Sequence, residues 1–176
     1  SYAASSEDEG YILYIGRLSD EKGVDILIDS MKANKDIPLK IAGSGNYREY
    51  LESLTRNLGL TNIEFLGQVH GAALESLFNK CRFVVVPSIW YENFPYVMME
   101  AAARGKAVIG SDKGGIPENI SHGETGFVFP ANDSGMLSQL IRKLFDDPAV
   151  AKQMGLKAKA LADSQFDDKI FYQRLS

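Results

Sequence analysis

The 176-residue chain has one cysteine, two histidines, no dense run of lysine or arginine and no long apolar stretch. Each shortage excludes something. A lone Cys81 builds neither a disulfide framework nor a cysteine-rich metal site. Beside Arg82 and ahead of Phe83-Val84-Val85-Val86, it reads as a small buried side chain. His70 and His122 stand in separate loops, a poor basis for a transition-metal site, and neither is assigned to metal or general-base work. A net charge of -4 without a basic block argues against a nucleic-acid partner, yet leaves room for a local basic pocket that holds a phosphate. No apolar run approaches the roughly 20 residues a membrane span needs. The opening SYAASSEDEG lacks the basic flank and apolar segment of a signal peptide, and residues 1–9 read as a linker or boundary.

What is present suits one domain over residues 10–176: 45% of the chain is hydrophobic and 24% charged. A domain of this size buries roughly 70% of its unfolded-chain surface. Short β-prone apolar runs at 11–15, 39–42, 63–66, 82–86, 107–110 and 125–129 predict six strands. Between them lie helical patterns, the clearest placing Val24, Leu27, Ile28 and Met31 on one face. A helix from about 46 to 58 is expected to turn Tyr47, Tyr50, Leu51, Leu54 and Leu58 inward, with Gly59 as its stop. Beyond residue 133 the pattern is helical, with a break near Asp146-Asp147-Pro148. Strands too apolar to show period two, alternating with helices, predict an α/β fold: a mostly parallel sheet covered on both faces. Such sheets bind ligands beyond the carboxyl ends of their strands, where strand order reverses.

The loops after the strands carry the candidates. Gly16 follows the first strand and permits a tight turn; Arg17 and Lys22 then offer a planar fork and a point charge to a pyrophosphate. The plain alternative is a solvated turn in which Asp20 and Glu21 neutralise the two bases. Gly43 and Gly45, after the second strand, either open space beside a ligand or form a simple turn. The stretch ENFPYVMME follows the fourth strand, and Pro95 suits a first helical position. The amides of Tyr96 and Val97 would then leave the helix start, available to an anion or a sugar oxygen. Glu92 and Glu100 bracket seven residues and do not share a helix face; carboxylates at both places accept hydrogen bonds from sugar hydroxyls. Glu92 alone also fits a solvated loop acid or a cap. Glu100 sits among Met98, Met99 and Ala101-Ala102-Ala103, a core-like setting that demands a partner, with Arg104 or Lys106 near enough to supply one. Gly114-Gly115, followed by Pro117 and Glu118, suggests another amide-rich corner.

Five segments together resemble a known family: GRLSDEKGVDILIDS (16–30), IAGSG (41–45), FLGQV (65–69), VVPSIWYENFPYVMMEAAARGKAVIGSDKGGIPENI (85–120) and HGETGFVFPANDSGML (122–137). Their order and spacing resemble the C-terminal domain of the group 1, family 4 retaining glycosyltransferases. The resemblance covers about residues 10–145. It implies the Rossmann-like, three-layer C-terminal half of a GT-B enzyme, which holds a nucleoside-diphosphate sugar and needs no metal or other cofactor. By that resemblance Arg17 and Lys22 contact the donor diphosphate, Glu92 approaches the donor sugar, and Glu100 binds the ribose hydroxyls. Gly16, Gly43 and Gly45 would lie near the nucleotide, and Asn93, Phe94, Pro95 and Tyr96 would seat the sugar and phosphate. Arg17, Lys22 and Glu92 are thus the catalytic candidates.

The implied reaction moves a hexosyl group, from a UDP-sugar sooner than a GDP-sugar, to a sugar or glycolipid hydroxyl in polysaccharide or glycoconjugate synthesis. The carbohydrate or lipid-linked acceptor would bind with an N-terminal domain that this chain lacks, so the chain by itself should hold donor weakly and transfer little. The C-terminal segment around Phe166, Phe171 and Tyr172 resembles the part that packs back toward that half. The full protein is expected in the cytoplasm, with the cytoplasmic face of the inner membrane as a peripheral location. Where the family pattern is Glu-Gly-Phe-Gly, this chain has Glu92-Asn93-Phe94-Pro95, which leaves the donor sugar open. Two rivals stand beside this reading: a sugar-nucleotide epimerase of similar architecture, and a non-catalytic module that keeps the fold.

Overall fold

The computed structural model describes residues 3–92 and 95–175, with side chains through residue 165. Six strands form one sheet: β1 (Ile12–Ile15), β2 (Leu39–Ala42), β3 (Ile63–Gly67), β4 (Phe83–Val86), β5 (Val108–Ser111) and β6 (Gly126–Phe129). Their order is β3-β2-β1-β4-β5-β6 and every neighbouring pair is parallel. Order therefore reverses between β1 and β4, where Ile12 stands opposite Phe83. The helices are α1 (Val24–Ser30), α2 (Arg48–Asn57), α3 (Gly71–Lys80), α4 (Tyr96–Ala103), α5 (Ser134–Phe145) and α6 (Pro148–Leu175).

The strands do alternate, although both sides are buried, and that is why no polar–apolar period marks them. Ile12, Tyr14, Phe83, Val85, Ile109 and Phe127 face one core, closed by Val24, Leu27 and Ile28 of α1 and Leu137, Ile141 and Leu144 of α5. Leu13, Val84, Val86 and Val108 face the other, closed by Phe78 of α3 and Met98 and Ala101 of α4. The result is three layers, with the sheet in the middle.

The expected elements appear with ends shifted by a residue or so, as helix and strand termini commonly do. The helical face Val24, Leu27, Ile28 and Met31 is wholly buried, although its last residue belongs to a 3-10 turn, Met31–Ala33. Gly59 follows α2 with a φ of 66°, the left-handed geometry of a helix stop. The break near residue 147 separates α5 from α6, and Asp147 Oδ1 accepts from the Val150 amide at 3.2 Å.

Two local expectations change. Tyr50 does not point inward but is half exposed, its ring 4.5 Å from that of Tyr47. Tyr47, Leu51, Leu54 and Leu58 already fill the inner stripe at steps of three and four, which puts Tyr50 on its flank. Pro95 is not the first helical residue but stands one place ahead of it, at the cap of α4, where its carbonyl accepts from the Met98 amide at 3.0 Å.

Candidate active site

A cavity of about 230 Å³ opens beyond the carboxyl ends of β1 and β4, at the reversal of strand order. Gly16, Lys22, Glu92, Pro95 and Tyr96 line it, together with Tyr14 and Ser88. Five of the expected site residues thus meet in one place. The ammonium of Lys22 lies 2.6 Å from Glu92 Oε1, and the same oxygen accepts from Ser88 Oγ at 2.9 Å. Ser88 is fixed in turn, because its carbonyl accepts from Ser111 Oγ at 2.6 Å. The Lys22 and Glu92 side chains are 22% and 21% exposed, so their pair is partly screened yet open to a ligand.

Local folding explains this placement. Lys22 closes a single 3-10 turn, Asp20–Lys22, whose first amide bonds include Lys22 N–H to Ser19 O at 3.2 Å. The loop after β4 is held on two sides: the Ile89 amide donates to Glu21 O at 3.0 Å, and the Gly115 amide to Glu92 O at 2.8 Å. A Cβ on Gly114 would sit 2.5 Å from the Glu92 main-chain nitrogen and oxygen. Only glycine lets that corner press against the loop. The paired glycines thus serve to seat Glu92.

Gly43 and Gly45 do not line the cavity. A Cβ on either would lie 1.8 Å from Gly16 O or 2.2 Å from Leu18 O. The loops after β1 and β2 are zipped together there, with Leu18 N–H to Ser44 O and Tyr47 N–H to Leu18 O each at 2.9 Å. Their absent side chains therefore brace the Gly16–Arg17–Leu18 turn. Tyr14 supports the same turn, its hydroxyl donating to Arg17 O at 2.7 Å. Burial, followed by the Glu92 and Glu21 charges, pushes the Tyr14 phenol well above its ordinary pKa, so it remains a neutral donor.

Arg17 itself is exposed and does not line the cavity, and among the described residues its side chain forms no ion pair. Glu100 also stands apart from the lining. Its expected core-like setting is not what α4 provides: Met98 and Ala101, three residues apart, share the buried side, and the roughly 100° turn per residue carries Met99 and Glu100, which lie between them, outward. The Glu100 side chain is 52% exposed and accepts through Oε2 from Arg104 Nη1 at 2.7 Å. Arg104, almost wholly buried, also binds the Glu75 carboxylate and lies over the Phe78 ring at 4.9 Å. Its hydrogen bond holds the Glu75 carboxyl below the usual carboxylate range. Asn93 and Phe94 lie outside the described residues.

Ser88, Ser111 and Tyr14 were not anticipated. For the serines there was a signal: a hydroxyl at or just past the end of an apolar strand, where such sheets bind ligands. His122 is structural, its Nδ1 accepting from the Val128 amide at 2.9 Å. Among the described residues no group of three or more His, Cys, Asp or Glu is arranged to hold a metal.

A parallel sheet in this order, with a cation–carboxylate pair at its switch point, defines a nucleotide-type binding fold. The family follows directly: the model of the glycosyl transferases group 1 matches residues 3–161, and the chain belongs to that family. It is the C-terminal, donor-binding region of the GT-B architecture. The chain is 40% identical over 145 residues to an uncharacterized glycosyltransferase of Methanocaldococcus jannaschii, covering 80% of this chain and 37% of that protein. It is 32% identical over 161 residues to glycogen synthase of Mycobacterium tuberculosis, covering 89% of this chain and 39% of that enzyme. Among solved structures, Anabaena HepE in complex with UDP-glucose superposes with a TM-score of 0.84 at 28% identity, over 94% of this chain and 47% of the other. The chain thus spans less than half the length of these relatives.

Proposed function

We propose that this region binds a nucleoside-diphosphate sugar, UDP-linked in preference to GDP-linked, within a retaining glycosyltransferase. The observation that carries the reading is the Lys22–Glu92 pair facing the switch-point cavity. Support for the donor comes from HepE, whose solved complex holds UDP-glucose.

In this reading the acceptor oxygen bonds to the anomeric carbon as the bond from that carbon to the phosphate oxygen breaks. The acceptor proton passes to the departing phosphate, and the products are a glycoside and a nucleoside diphosphate. Lys22 and Arg17, with the first amides of α4, stabilise negative charge developing on the phosphate. Glu92 orients the donor sugar and favours positive character at its anomeric carbon. Glu100, outside the cavity as it stands, meets the ribose hydroxyls by exchanging part of its contact with Arg104. The sugar or glycolipid acceptor binds jointly with the rest of a longer protein.

One observation favours a second reading, that of a non-catalytic module: the Glu100–Arg104 pair turned away from the cavity. The intact Lys22–Glu92 pair opposes it. Calorimetry with UDP, GDP and ADP separates the two. UDP is expected to bind in the millimolar range or tighter, and Arg17→Glu to weaken it. Absence of heat with every nucleotide at millimolar concentration would overturn the donor site.

A further inference from the structure

Three of the described serines are buried, and their hydroxyls are used differently. Ser30 donates to the main-chain oxygen of Leu27, and Ser111 to that of Ser88. Bonds of this kind satisfy a buried hydroxyl and serve the fold. Ser88, 2% exposed, donates instead to a side chain: the Glu92 carboxylate, which lines the switch-point cavity.

That carboxylate is held by one oxygen. Oε1 takes both the Ser88 hydroxyl at 2.9 Å and the Lys22 ammonium at 2.6 Å. Among the described residues, Oε2 accepts no hydrogen bond. Both oxygens of an ionised carboxylate are acceptors, so Oε2 is the one left for a ligand hydroxyl.

The two donors on Oε1 differ in what a ligand does to them. Lys22 reaches Glu92 on a flexible four-carbon stem, and an arriving diphosphate competes for its charge. Ser88 carries its hydroxyl on a short side chain from an anchored loop. Its carbonyl accepts from Ser111 Oγ, fully buried at the end of β5, and the next amide, that of Ile89, donates to Glu21 O. The Glu92 main chain is fixed as well, through its carbonyl to the Gly115 amide. What the loop leaves free in Glu92 is its side chain, and Ser88 restrains that.

We propose that Ser88 is the positioning residue of Glu92: it holds Oε1 when Lys22 turns to phosphate, and so keeps Oε2 available to the donor sugar. The inference rests on the donor-binding reading. Ser88 works through Glu92 and not on the ligand, and Ser111 works one step further back, through the Ser88 carbonyl.

The test is the ratio of sugar-nucleotide affinity to diphosphate affinity, measured by calorimetry on the chain. The probes are UDP-glucose, UDP-galactose and UDP-N-acetylglucosamine against UDP, and GDP-mannose against GDP. A serine that only supports the fold lowers both affinities together when it is removed, through the folded fraction, and leaves the ratio alone. Ser88→Ala is expected to lower the ratio for at least one donor by about three- to tenfold, the worth of one hydrogen bond. Ser88→Thr keeps the hydroxyl and should restore most of it. Glu92→Ala should lower the same ratio at least as far, and adding Ser88→Ala to it should cost nothing more, because the two act as one unit. A ratio that falls in Glu92→Ala but not in Ser88→Ala would make Ser88 a fold residue and overturn the proposal. A further fall in the double variant would overturn it too, by giving Ser88 a contact of its own. A ratio unmoved by either single variant would remove the sugar from Glu92 and leave the diphosphate site standing. Absence of binding by every nucleotide would remove the donor reading and the proposal with it.

Discussion

The two ends of the sheet each hold a lysine, and they are kept in opposite ways. At the amino end, Lys106 is 5% exposed and donates to the main-chain oxygens of Glu7 and Cys81, both at 2.8 Å. Burial draws its pKa down. At the carboxyl end, Lys22 keeps roughly a fifth of its side chain in solvent and meets a side-chain carboxylate instead. Each lysine lines a cavity of similar size, about 250 Å³ and about 230 Å³. Size does not separate them; their partners do. Main-chain oxygens are fixed by the fold and surrender a donor only if the fold gives way, whereas a side-chain carboxylate can rotate when a better anion arrives.

The largest expected effect tests the structural member of the pair. Lys106→Met leaves two carbonyls without their donor and loosens the segment through Glu7, which Arg82 also holds through Asp8 at 2.8 Å. A loss of about 3 kcal/mol in unfolding free energy is expected, measured by urea denaturation. UDP affinity of the molecules that remain folded should not change. A variant that loses UDP affinity without losing stability would dissolve the contrast.

The converse is expected at the other end. Lys22→Met should weaken UDP about thirtyfold, the worth of one charge-assisted hydrogen bond to phosphate, as read by calorimetry. Its unfolding free energy should move by less than about 1 kcal/mol, since the ion pair it removes is partly solvated. Loss of stability as large as that of Lys106→Met would make Lys22 a structural lysine as well.

How much of this contrast could be read from the string differs by feature. The sheet was legible because each strand is a short apolar run closed by glycine or a polar loop, and the inner face of α1 because its period is strict. Lys22 and Glu92 were each legible as residues just past a strand. Their contact was not, because it spans 70 positions and depends on β1 lying beside β4. The Ser111–Ser88 bond was hidden for the same reason, arising only from the pairing of β4 with β5. Glu100 misled because neighbours in sequence were taken as neighbours in space; a helix turns successive residues about 100° apart. The glycines at 43 and 45 left two readings open for a different reason. An absent side chain indicates close approach without saying whether a ligand or another loop approaches.

A smaller effect sharpens the amino end. Cys81 lines the cavity of Lys106, and burial pushes its thiol from 9.0 up to about 12. The unfolded thiol ionises near pH 9 while the folded one keeps its proton. The native state then binds more protons, and stability falls as pH rises from about 9 toward 12. Tyr11, raised mainly by burial, adds to the fall, and Lys106, lowered by burial, opposes it. Cys81→Ala should reduce the decline between pH 7 and 10 by about 1 kcal/mol in urea titrations, one pKa unit's worth. An unchanged slope would show that the thiol ionises as readily folded as unfolded.

The smallest effect decides whether the carboxylate at the site is exchangeable. Glu92 satisfies Lys22 before any ligand arrives, so an incoming diphosphate must share or displace it. Glu92→Gln keeps the shape and the Ser88 contact while removing the competing charge. If the pair opens on binding, UDP affinity should rise about threefold, a gain typical of releasing a partly exposed ion pair. On the proposed glycosyltransferase reading, turnover by a protein that includes this region should fall in the same variant, because the donor sugar would lose its charged partner. The two changes have opposite signs, and a role confined to stability would produce neither. Should UDP bind less well to Glu92→Gln, the carboxylate holds Lys22 in place for phosphate instead of competing for it, and the carboxyl end of the sheet would be as fixed as the amino end.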